Sequence, residues 1–508
     1  MDIGLTDFLT GRRDIYTATE EINRNNVIDE VDNAIAYHLR NLTEEEYLYW
    51  YRRGFQPVLH RTKERNEFIL NKVVENHAEE FCTFKNGYLF QEPAYYVSRT
   101  DSAQDKVDTL NEYLYRSGKH TADNKVADWF HMVGKAALFV EPTDDDETPL
   151  TAYALDPRSA FVVYSMRPGN KPVFAVNIVE SGSEVYVDAW TDRDVFRIYG
   201  RNDAERTTAY PDYATMAWDL KAVEPNILGH IPIIEYRYNS VNMACFEAVT
   251  YLFDAINDVQ SNRVDGVAQF IQSIAVATNC EFDESVTADQ IKKAGMIALR
   301  SVGDNKADFK ILSEELNQDQ TQTLVDNLYE QALRIAAMPS QTKGGRSTSD
   351  TGQAVLFRDG WEQAASAARN TEDLFKESNR YFDAILIDVL KRKGILDISI
   401  TDFELNFVRN ETANVQSKAQ ALNTMISSGL HPELALAKSG ISNDPVSDLK
   451  MSEKWMTMIW GDPEQKAQEV KQAAQTGNLQ TEEQASRGEA VIIEQDNNNG
   501  ENSTGGDV

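Results

Sequence analysis

Carboxylates recur at helical spacing in two segments near the middle of this sequence. The intervals are 7, 4 and 7 residues in the first segment and 7 and 4 residues in the second. Residues at these intervals lie along one side of a helix. Such a stripe is usually a solvated face, but it also suits a surface past which a polyanion must move without binding. The residues are Glu247, Asp254, Asp258 and Asp265, followed by Asp319, Asp326 and Glu330.

A short basic loop follows the second acidic segment and contains Lys343, Gly344, Gly345 and Arg346. It superficially resembles a phosphate-binding loop. However, it follows a predicted helix rather than a strand, and it lacks the order of a Walker loop, in which glycine comes first and Lys-Ser or Lys-Thr last. Two interpretations stay open: a solvated turn, or a source of weak, salt-sensitive phosphate contacts from the two cations. The two glycines would permit backbone movement.

Catalytic and metal-binding motifs are not evident. The seven histidines show no H-E-x-x-H spacing, and no G-x-S-x-G elbow precedes a predicted helix. The acidic run at 144–147 lacks the glycine and glutamate that an EF-hand needs. Cys82, Cys245 and Cys280 lie far apart, which argues against a zinc site or a disulfide framework. The residues therefore give little support for an enzyme, and we expect no metal and no cofactor.

The composition is that of an acidic, folded protein. The 508 residues include 81 Asp and Glu against 50 Lys and Arg, a formal net charge of −31, and 42 % are hydrophobic. This apolar content supports packed domains, whereas a free-standing nucleic-acid binder would need a basic face. The first residues do not resemble a secretory signal, and no run of about 18 apolar residues occurs. We expect a protein made in the cytosol, with no membrane segment.

Helices are predicted for the first hundred residues. Thr43 and Glu46 form a capping box that predicts the start of one helix. Apolar residues at helical spacing predict a second helix at about 63–84, with Gly87 as part of its C-cap. An extended segment is expected to follow at 88–93.

Strands are predicted from about residue 151 to residue 238. This region consists of short β-branched and aromatic runs separated by turn-forming residues. The four clearest predicted strands are Ala160–Tyr164, Val173–Val179, Val185–Trp190 and Asp194–Tyr199.

The two acidic segments coincide with two predicted amphipathic helices, at about 242–273 and 317–337. Between them we expect a small mixed unit with a helix at 287–294 and strands at 296–300 and 308–312.

The region after the basic loop is predicted to be largely helical. Asp350 and Gln353 form a capping box for a helix of about 40 residues that reaches Lys393. A strand at 398–408 and three short helices between about 412 and 459 should follow. The polar, acidic sequence from 462 onward is typical of a mobile tail.

Three short motifs add to the information given by the order of these predicted elements. Asn86–Pro93 is similar to a G-Y-L-x-G-x-P pattern, with Gln91 in place of the second glycine. Asn226–Tyr236 is similar to G-x-I-P-I-I, and Ser349–Ala354 is similar to S-G-x-A, with Thr351 in place of the serine. In these motifs and in the order of its elements, the chain resembles the portal (head-to-tail connector) proteins of tailed double-stranded DNA phages. The resemblance is particularly to the type found in long-tailed phages of Gram-positive hosts.

The resemblance covers about residues 20–460 and implies an α+β, mainly helical portal fold, arranged in a ring around an axial channel. The implied segments are a wing at 1–241 (β-rich at 151–240), a stem helix at 242–273, a clip at 274–312, a second stem helix at 313–337, a tunnel loop at 338–349, a long wing helix at 350–397, a crown at 398–460 and a disordered acidic tail at 461–508.

The resemblance also implies a function without catalysis. A homo-oligomeric ring, usually of twelve subunits, would sit at one capsid vertex of the virion after assembly in the host cytoplasm. The terminase motor would package double-stranded DNA through it, and the DNA would later be ejected. The loop at 343–346 would face the DNA, the seven acidic residues would line the channel, and Lys292 and Lys306 of the clip would contact the terminase large subunit and head-completion or adaptor proteins. Major capsid and scaffolding proteins would be further partners.

Two other classes of protein stay open from the residues alone. One is a virion scaffold without a DNA channel, and the other is an acidic cytosolic enzyme whose site is not recognised. The three hypotheses predict different particles: a flanged ring with a central hole, another assembly, or a compact oligomer.

Overall fold

The fold is known from a computed structural model. It describes residues 11–63, 69–181, 184–201, 213, 216–271, 274–278, 280–281, 300–301, 308–312, 318–340, 360–407, 415–442 and 445–460. The chain divides into two compact units, Met1–Thr412 and Ala413–Val508. Helices and strands both contribute substantially to the first unit, as an α+β class predicts.

The helices and strands of the described residues have the following bounds. The α-helices are α1 (Val27–Arg52), α2 (His77–Phe90), α3 (Gln104–Arg116), α4 (Lys119–Val133), α5 (Thr250–Ile271), α6 (Gln318–Ile335), α7 (Trp361–Arg392), α8 (Val415–Ser427), α9 (Pro432–Ser439) and α10 (Pro445–Trp460). The strands are β1 (Ile15–Thr17), β2 (Tyr95–Ser98), β3 (Lys135–Pro142), β4 (Leu150–Leu155), β5 (Ala160–Ser165), β6 (Pro172–Ser181), β7 (Glu184–Trp190), β8 (Asp194–Arg201), β9 (Ala217–Pro225), β10 (Ile233–Arg237), β11 (Ile274–Thr278), β12 (Cys280–Glu281), β13 (Arg300–Ser301), β14 (Asp308–Leu312) and β15 (Phe403–Asn406).

Helix α1 begins well before the capping box predicted at Thr43. It runs without a break from Val27 to Arg52, so Thr43 lies in its interior. There the Thr43 hydroxyl donates to the Leu39 carbonyl, one turn back. The capping-box prediction was wrong because the apolar face that packs on the β-sheet already begins at Val27.

The helix predicted at 63–84 was wrong in its first half. Residues 69–76, which we call the strap, are not helical, and α2 begins only at His77. Helix α2 also continues past Gly87, so the predicted C-cap was wrong and the predicted extended segment starts as helix. Gln91, which replaces a glycine of the first motif, has φ −66° and ψ −44°. This position therefore does not require glycine.

The β-rich region forms two sheets. The larger has the strand order β1-β5-β6-β7-β8-β9, in which only β1 and β5 are parallel. The smaller is antiparallel, with the order β10-β3-β4. The four strands predicted between 160 and 199 are confirmed as β5 to β8, each extended by at most two residues at either end. Helix α1 covers the larger sheet, where Val31 and Ile35 pack with Phe174 and Val187.

Helix α7 passes through a large apolar core of the first unit. Its Phe375, Phe382 and Leu386 pack with Phe130 of α4 and Leu138 of β3. A buried polar network also holds this helix, since Tyr236 donates to Asn379 at 3.1 Å and Asn379 donates to Asp383 at 2.9 Å.

The start of α7 differs from the prediction. The helix begins at Trp361, after Gly360 with φ +79°, a left-handed conformation that favours glycine. A right-handed helix cannot continue through such a residue, so the single helix predicted from Asp350 to Lys393 was wrong in extent. Asp350 and Gln353 themselves lie outside the described residues.

Helices α5 and α6 correspond to the two predicted central helices. Helix α6 is confirmed to within two residues, but α5 starts at Thr250, eight residues later than predicted. Asn242 has φ +55° and so lies outside a right-handed helix, and Glu247–Val249 form a 3-10 turn before α5 begins.

Between α5 and α6, antiparallel pairing joins β11 to β14 and β12 to β13. The strand predicted at 308–312 is confirmed as β14. The helix predicted at 287–294 and most of the strand predicted at 296–300 lie outside the described residues.

The last strand, β15, pairs with β2 and is shorter than the strand predicted at 398–408. In the second unit, α8, α9 and α10 confirm the three predicted short helices. The predicted tail lies outside the described residues.

Candidate functional site

Helices α5 and α6 lie side by side and run in opposite directions. The Arg263 guanidinium near the end of α5 donates to Gln318 and Gln322 at the start of α6, at 3.1 and 2.8 Å. Phe253 of α5 and Val325 of α6 share a buried cluster with α2. This helix pair, with the turn before α5, carries all seven acidic residues selected from the sequence.

Glu247, in the 3-10 turn before α5, is buried in an ion pair. Its side chain accepts from the Arg12 guanidinium at 2.6 Å and from the Ala244 amide at 2.8 Å, and the residue is only 1 % exposed. Arg12 also contacts Glu44 at 2.9 Å. Burial raises the pKa of Glu247, and Arg12 only partly offsets this. Glu247 therefore fastens the start of α5 to the N-terminal segment.

Asp265, near the other end of α5, is also buried, at 3 % exposure. It accepts from the Asn71 backbone amide at 2.7 Å and from Arg61 at 3.1 Å, and it is paired with Lys63. Burial raises the pKa of Asp265, but Lys63 and Asn71 outweigh this and hold it below its ordinary value. The carboxylate is thus ionised and fully engaged within the chain.

The strap runs alongside α5 and is bonded to it at regular intervals. Alternate backbone N–H groups of the strap donate to polar side chains of α5 that are four residues apart. The donors Asn71, Val73 and Glu75 bond to Asp265, Ser261 and Asn257, in that order, at 2.7, 2.9 and 2.7 Å. Two residues of extended chain span about 6.6 Å and four residues of helix about 6.0 Å, so the two periods stay in step over this distance.

The other two carboxylates of α5 have different surroundings. The Tyr51 hydroxyl donates to Asp254 at 2.8 Å, and burial raises the pKa of this partly buried carboxyl. Asp258 is exposed. The four acidic residues therefore do not form one solvated stripe. The prediction that Glu247 and Asp265 line a channel is corrected here, because both are buried in ion pairs of their own chain.

The acidic residues of α6 lie on the surface. Asp319 and Asp326 are exposed, and Glu330 is partly exposed. Asp326 accepts from Gln322 at 2.6 Å, an interaction one turn along the same helix. The structure thus brings Asp258 of α5 and the three carboxylates of α6 onto the surface of one helix pair.

His77 links the strap, α2 and both helices of the pair. Its ring nitrogens lie 3.2 Å from Glu75 and 2.8 Å from Glu80, and its ring centroid is 4.5 Å from that of Tyr329 on α6 and 5.5 Å from that of Phe253 on α5. Burial lowers the pKa of His77, but the two carboxylates outweigh it and raise the pKa to about 9. The imidazolium is therefore the charged form at neutral pH.

The anchoring residues of this site are not among those predicted from the sequence. Asn257 and Ser261 are fully buried polar residues inside an amphipathic helix, at four-residue spacing with Asp265. That pattern is visible in the sequence, although only the carboxylates of this helix were predicted as site residues. Arg12 gave no recognisable signal, because its partner Glu247 lies 235 positions away.

The remaining predicted site residues are not placed. The basic loop, with Lys343, Gly344, Gly345 and Arg346, lies outside the described residues, as do Lys292 and Lys306.

A cleft of about 570 Å³ lies beside the two sheets and α7. Asp14 and Glu235 border it, and both pair with Lys135 and Arg237 at 2.6 to 3.2 Å. Burial raises the pKa of Asp14, but the two cations outweigh it and hold the pKa below its ordinary value. Asp14 is therefore suited to structure rather than to proton transfer at neutral pH.

Three further features concern the described residues only: metal ligands, membrane spans and cysteines. No cluster of three or more His, Cys, Asp and Glu side chains there could hold a metal ion. None of the helices described combines the length and apolar character needed to cross a bilayer. Cys82 and Cys245, distant in sequence, are free buried thiols with their sulfur atoms 3.6 Å apart.

Comparison with known protein families yields a match over most of the chain. The family described as phage portal protein, SPP1 Gp6-like, matches residues 31–455, a range that includes the strap and the helix pair. No curated protein matches the sequence significantly.

Proposed function

This chain belongs to the SPP1 Gp6-like family of phage portal proteins, and we therefore propose that twelve copies form a ring around an axial DNA channel. The family's role is structural: a portal protein serves as the channel for DNA packaging at the capsid vertex of the virion and as the head–tail connector. The family match over residues 31–455 is the observation that carries the proposal. On the basis of the sequence resemblance, we also propose that the protein belongs to a long-tailed phage of a Gram-positive host.

In this ring, the exposed acidic residues of the helix pair would line the channel. Asp258, Asp319, Asp326 and the partly exposed Glu330 are available for that role. The carboxylates would repel the phosphates of DNA, because both are negatively charged. In a narrow channel the two groups would lie within a Debye length of about 8–10 Å, so salt would not fully screen the repulsion. The wall would therefore offer few binding sites at which moving DNA could stall.

The basic loop would supply the complementary element. Lys343 and Arg346 would make weak phosphate contacts, which are salt-dependent and independent of DNA sequence. Gly344 and Gly345 would let the backbone change conformation as the duplex passes.

The other partners follow from the same assignment. Lys292 and Lys306, in the segment between α5 and α6, would contact the terminase large subunit during packaging and head-completion or adaptor proteins afterwards. The C-terminal region would face the capsid interior, near capsid and scaffolding proteins, and the same channel would serve for ejection.

Negative-stain electron microscopy of the purified full-length chain tests the proposal. We expect flanged rings with a central hole and, from class averages, twelve-fold symmetry. A compact particle without a hole would contradict the channel, and a ring of another subunit number would correct only the stoichiometry.

Substitution of the loop tests the DNA contact. Lys343→Ala together with Arg346→Ala should leave ring assembly intact while changing the amount of DNA packaged in an infection or packaging assay. Lys391→Ala, at an exposed lysine of α7, is the matched control. Packaging equal to wild type in the loop variant would remove the proposed role of the loop.

A further inference from the structure

Helix α6 has three chemically different sides. At about 100° per residue, the buried side that includes Val325 and Ala332 lies roughly 120° from the acidic side and roughly 120° from a third side. The third side carries five exposed residues without a charge: Gln320, Leu324, Asn327, Gln331 and Ile335.

The intervals along this third side are 4, 3, 4 and 4 residues, which keep the five side chains within one narrow strip. We call this strip the neutral face. Arg334 lies at its border with the acidic side.

The neutral face includes two large aliphatic side chains in contact with solvent. Leu324 is 48 % exposed and Ile335 is 58 % exposed. Water contact with such side chains is unfavourable by roughly 25 cal/mol per Å² of apolar surface. A face that combines exposed aliphatic side chains with uncharged amides matches the core of a protein–protein interface, where charged residues are depleted.

The charge of the chain decides which partner fits. Each copy has a formal net charge of −31, so two copies can approach closely only where neither presents uncompensated carboxylates. On α6 the neutral face satisfies this condition, whereas the side with Asp319 and Asp326 does not. This argument rests on the proposed function, in which identical chains stand side by side in a ring.

We propose that the neutral face of α6 is buried against the neighbouring copy of this chain, and that the acidic side of the same helix faces the channel. The two exposed sides of α6 thus have different tasks: one holds the ring together and the other repels DNA. In a ring each contact is made by two different surfaces, so the neutral face meets a different surface of its neighbour.

Adjacent residues of α6 provide a matched pair of variants. Leu324→Glu puts a carboxylate on the neutral face, and Thr323→Glu puts the same carboxylate on the preceding residue, which is exposed and lies towards the acidic side. Gln331→Glu is a second neutral-face variant that removes no apolar side chain. The fraction of full-length protein in rings is measured against concentration by mass photometry, and thermal melting reports whether each variant folds.

We expect Leu324→Glu and Gln331→Glu to require at least about tenfold higher concentration for ring formation, since a carboxylate buried without a partner is costly. Thr323→Glu should assemble like wild type. If both neutral-face variants form rings like wild type, the inference is wrong although the ring proposal survives.

If both neutral-face variants melt early as separate chains, the face is covered within its own chain and the inference is again wrong. If wild-type protein forms no ring at all, the proposed function itself fails.

Discussion

The two helices of the central pair look alike in sequence and differ in use. Both carry carboxylates at seven- and four-residue intervals. On α5 and the turn before it, Glu247 and Asp265 are buried and paired with Arg12, Arg61 and Lys63. On α6 the corresponding carboxylates are on the surface.

The difference arises from what surrounds each helix. The strap, Tyr51 and helix α6 all contact α5, and the strap presents backbone N–H groups that need acceptors. Buried N–H groups are rarely left without an acceptor, so the carboxylate and amide oxygens of α5 are used for anchoring. The spacing of charges therefore predicts which side of a helix they share, and not whether that side is solvated.

The largest difference in stability between carboxylate variants of the two segments should appear at Glu247. Glu247→Ala leaves the buried Arg12 with Glu44 as its remaining carboxylate partner, and loss of one member of a buried ion pair costs about 3–5 kcal/mol. Because Glu44 remains, we expect a loss of about 3 kcal/mol in the free energy of unfolding, measured by urea denaturation. Asp326→Ala on α6 is the control, with an expected change within about 0.5 kcal/mol. Equal losses at the two positions would remove the contrast.

The contact that His77 makes between the strap and the helix pair should make the stability of the protein depend on pH. The pKa of His77 is raised to about 9, above the ordinary value of 6.5 for an unfolded chain. Its contribution to stability is therefore complete below pH 6.5 and is lost as the pH rises through about 9. After allowance for solvent screening, we expect roughly 2 kcal/mol to be lost over this range.

The measurement is the free energy of unfolding of wild type and His77→Gln between pH 6 and pH 10. The difference between them should shrink as the pH rises, since the variant lacks the titrating group. His431→Gln, at an exposed histidine of the second unit, should parallel wild type throughout. A constant gap between wild type and His77→Gln would mean that the imidazolium is not what couples the strap to the helix pair.

Adjacent residues of α5 test the strap register. Asn257→Ala removes the acceptor of the Glu75 amide and a donor to Gln56, which should cost about 1–2 kcal/mol. Hydrogen exchange at the Glu75 amide should become faster in the same variant. Asp258→Ala changes the next, exposed residue and should alter neither quantity. Unchanged exchange in Asn257→Ala would show that the strap is held by other contacts.

Much of the fold could be predicted from local pattern. Short β-branched and aromatic runs between turn residues predicted β5 to β8, and helical periodicity predicted α6 to within two residues at either end. The wrong predictions for the strap and for Asp265 have one cause, because the strap and Asp265 bond to each other. Ile69, Val73 and Val74 have helical spacing, but the strap gains more from bonding to α5, 182 to 194 positions away in sequence. A long-range choice of this kind is not encoded in local periodicity.

The candidate site was predictable to a similar degree. The surface position of the acidic residues of α6 follows from the amphipathic pattern of that helix, in which Val325 and Ala332 occupy the buried side. The surroundings of those on α5 depend on where Arg12 and the strap lie, and Glu247 itself belongs to a 3-10 turn before the helix. The resemblance to portal proteins supplied the family but not the surroundings of each carboxylate.

The smallest effect on stability, and the sharpest test of the comparison, concerns the acidic side of α6. Asp319→Asn, Asp326→Asn and Glu330→Gln combined remove three surface charges, so the free energy of unfolding should change by less than about 0.5 kcal/mol. If these carboxylates line the channel, the neutralised ring should bind short duplex DNA more tightly than wild type at low salt, and the difference should vanish as salt screens the remaining charge. Fluorescence anisotropy of labelled duplex measures the DNA affinity and its dependence on salt.

Asp144→Asn, Asp145→Asn and Asp146→Asn, in an exposed loop of the first unit, remove the same charge elsewhere and control for net charge alone. Equal gains in DNA affinity from the two triple variants would mean that α6 acts only through the total charge of the particle, whereas a gain confined to α6 would assign its acidic side to the path of the DNA.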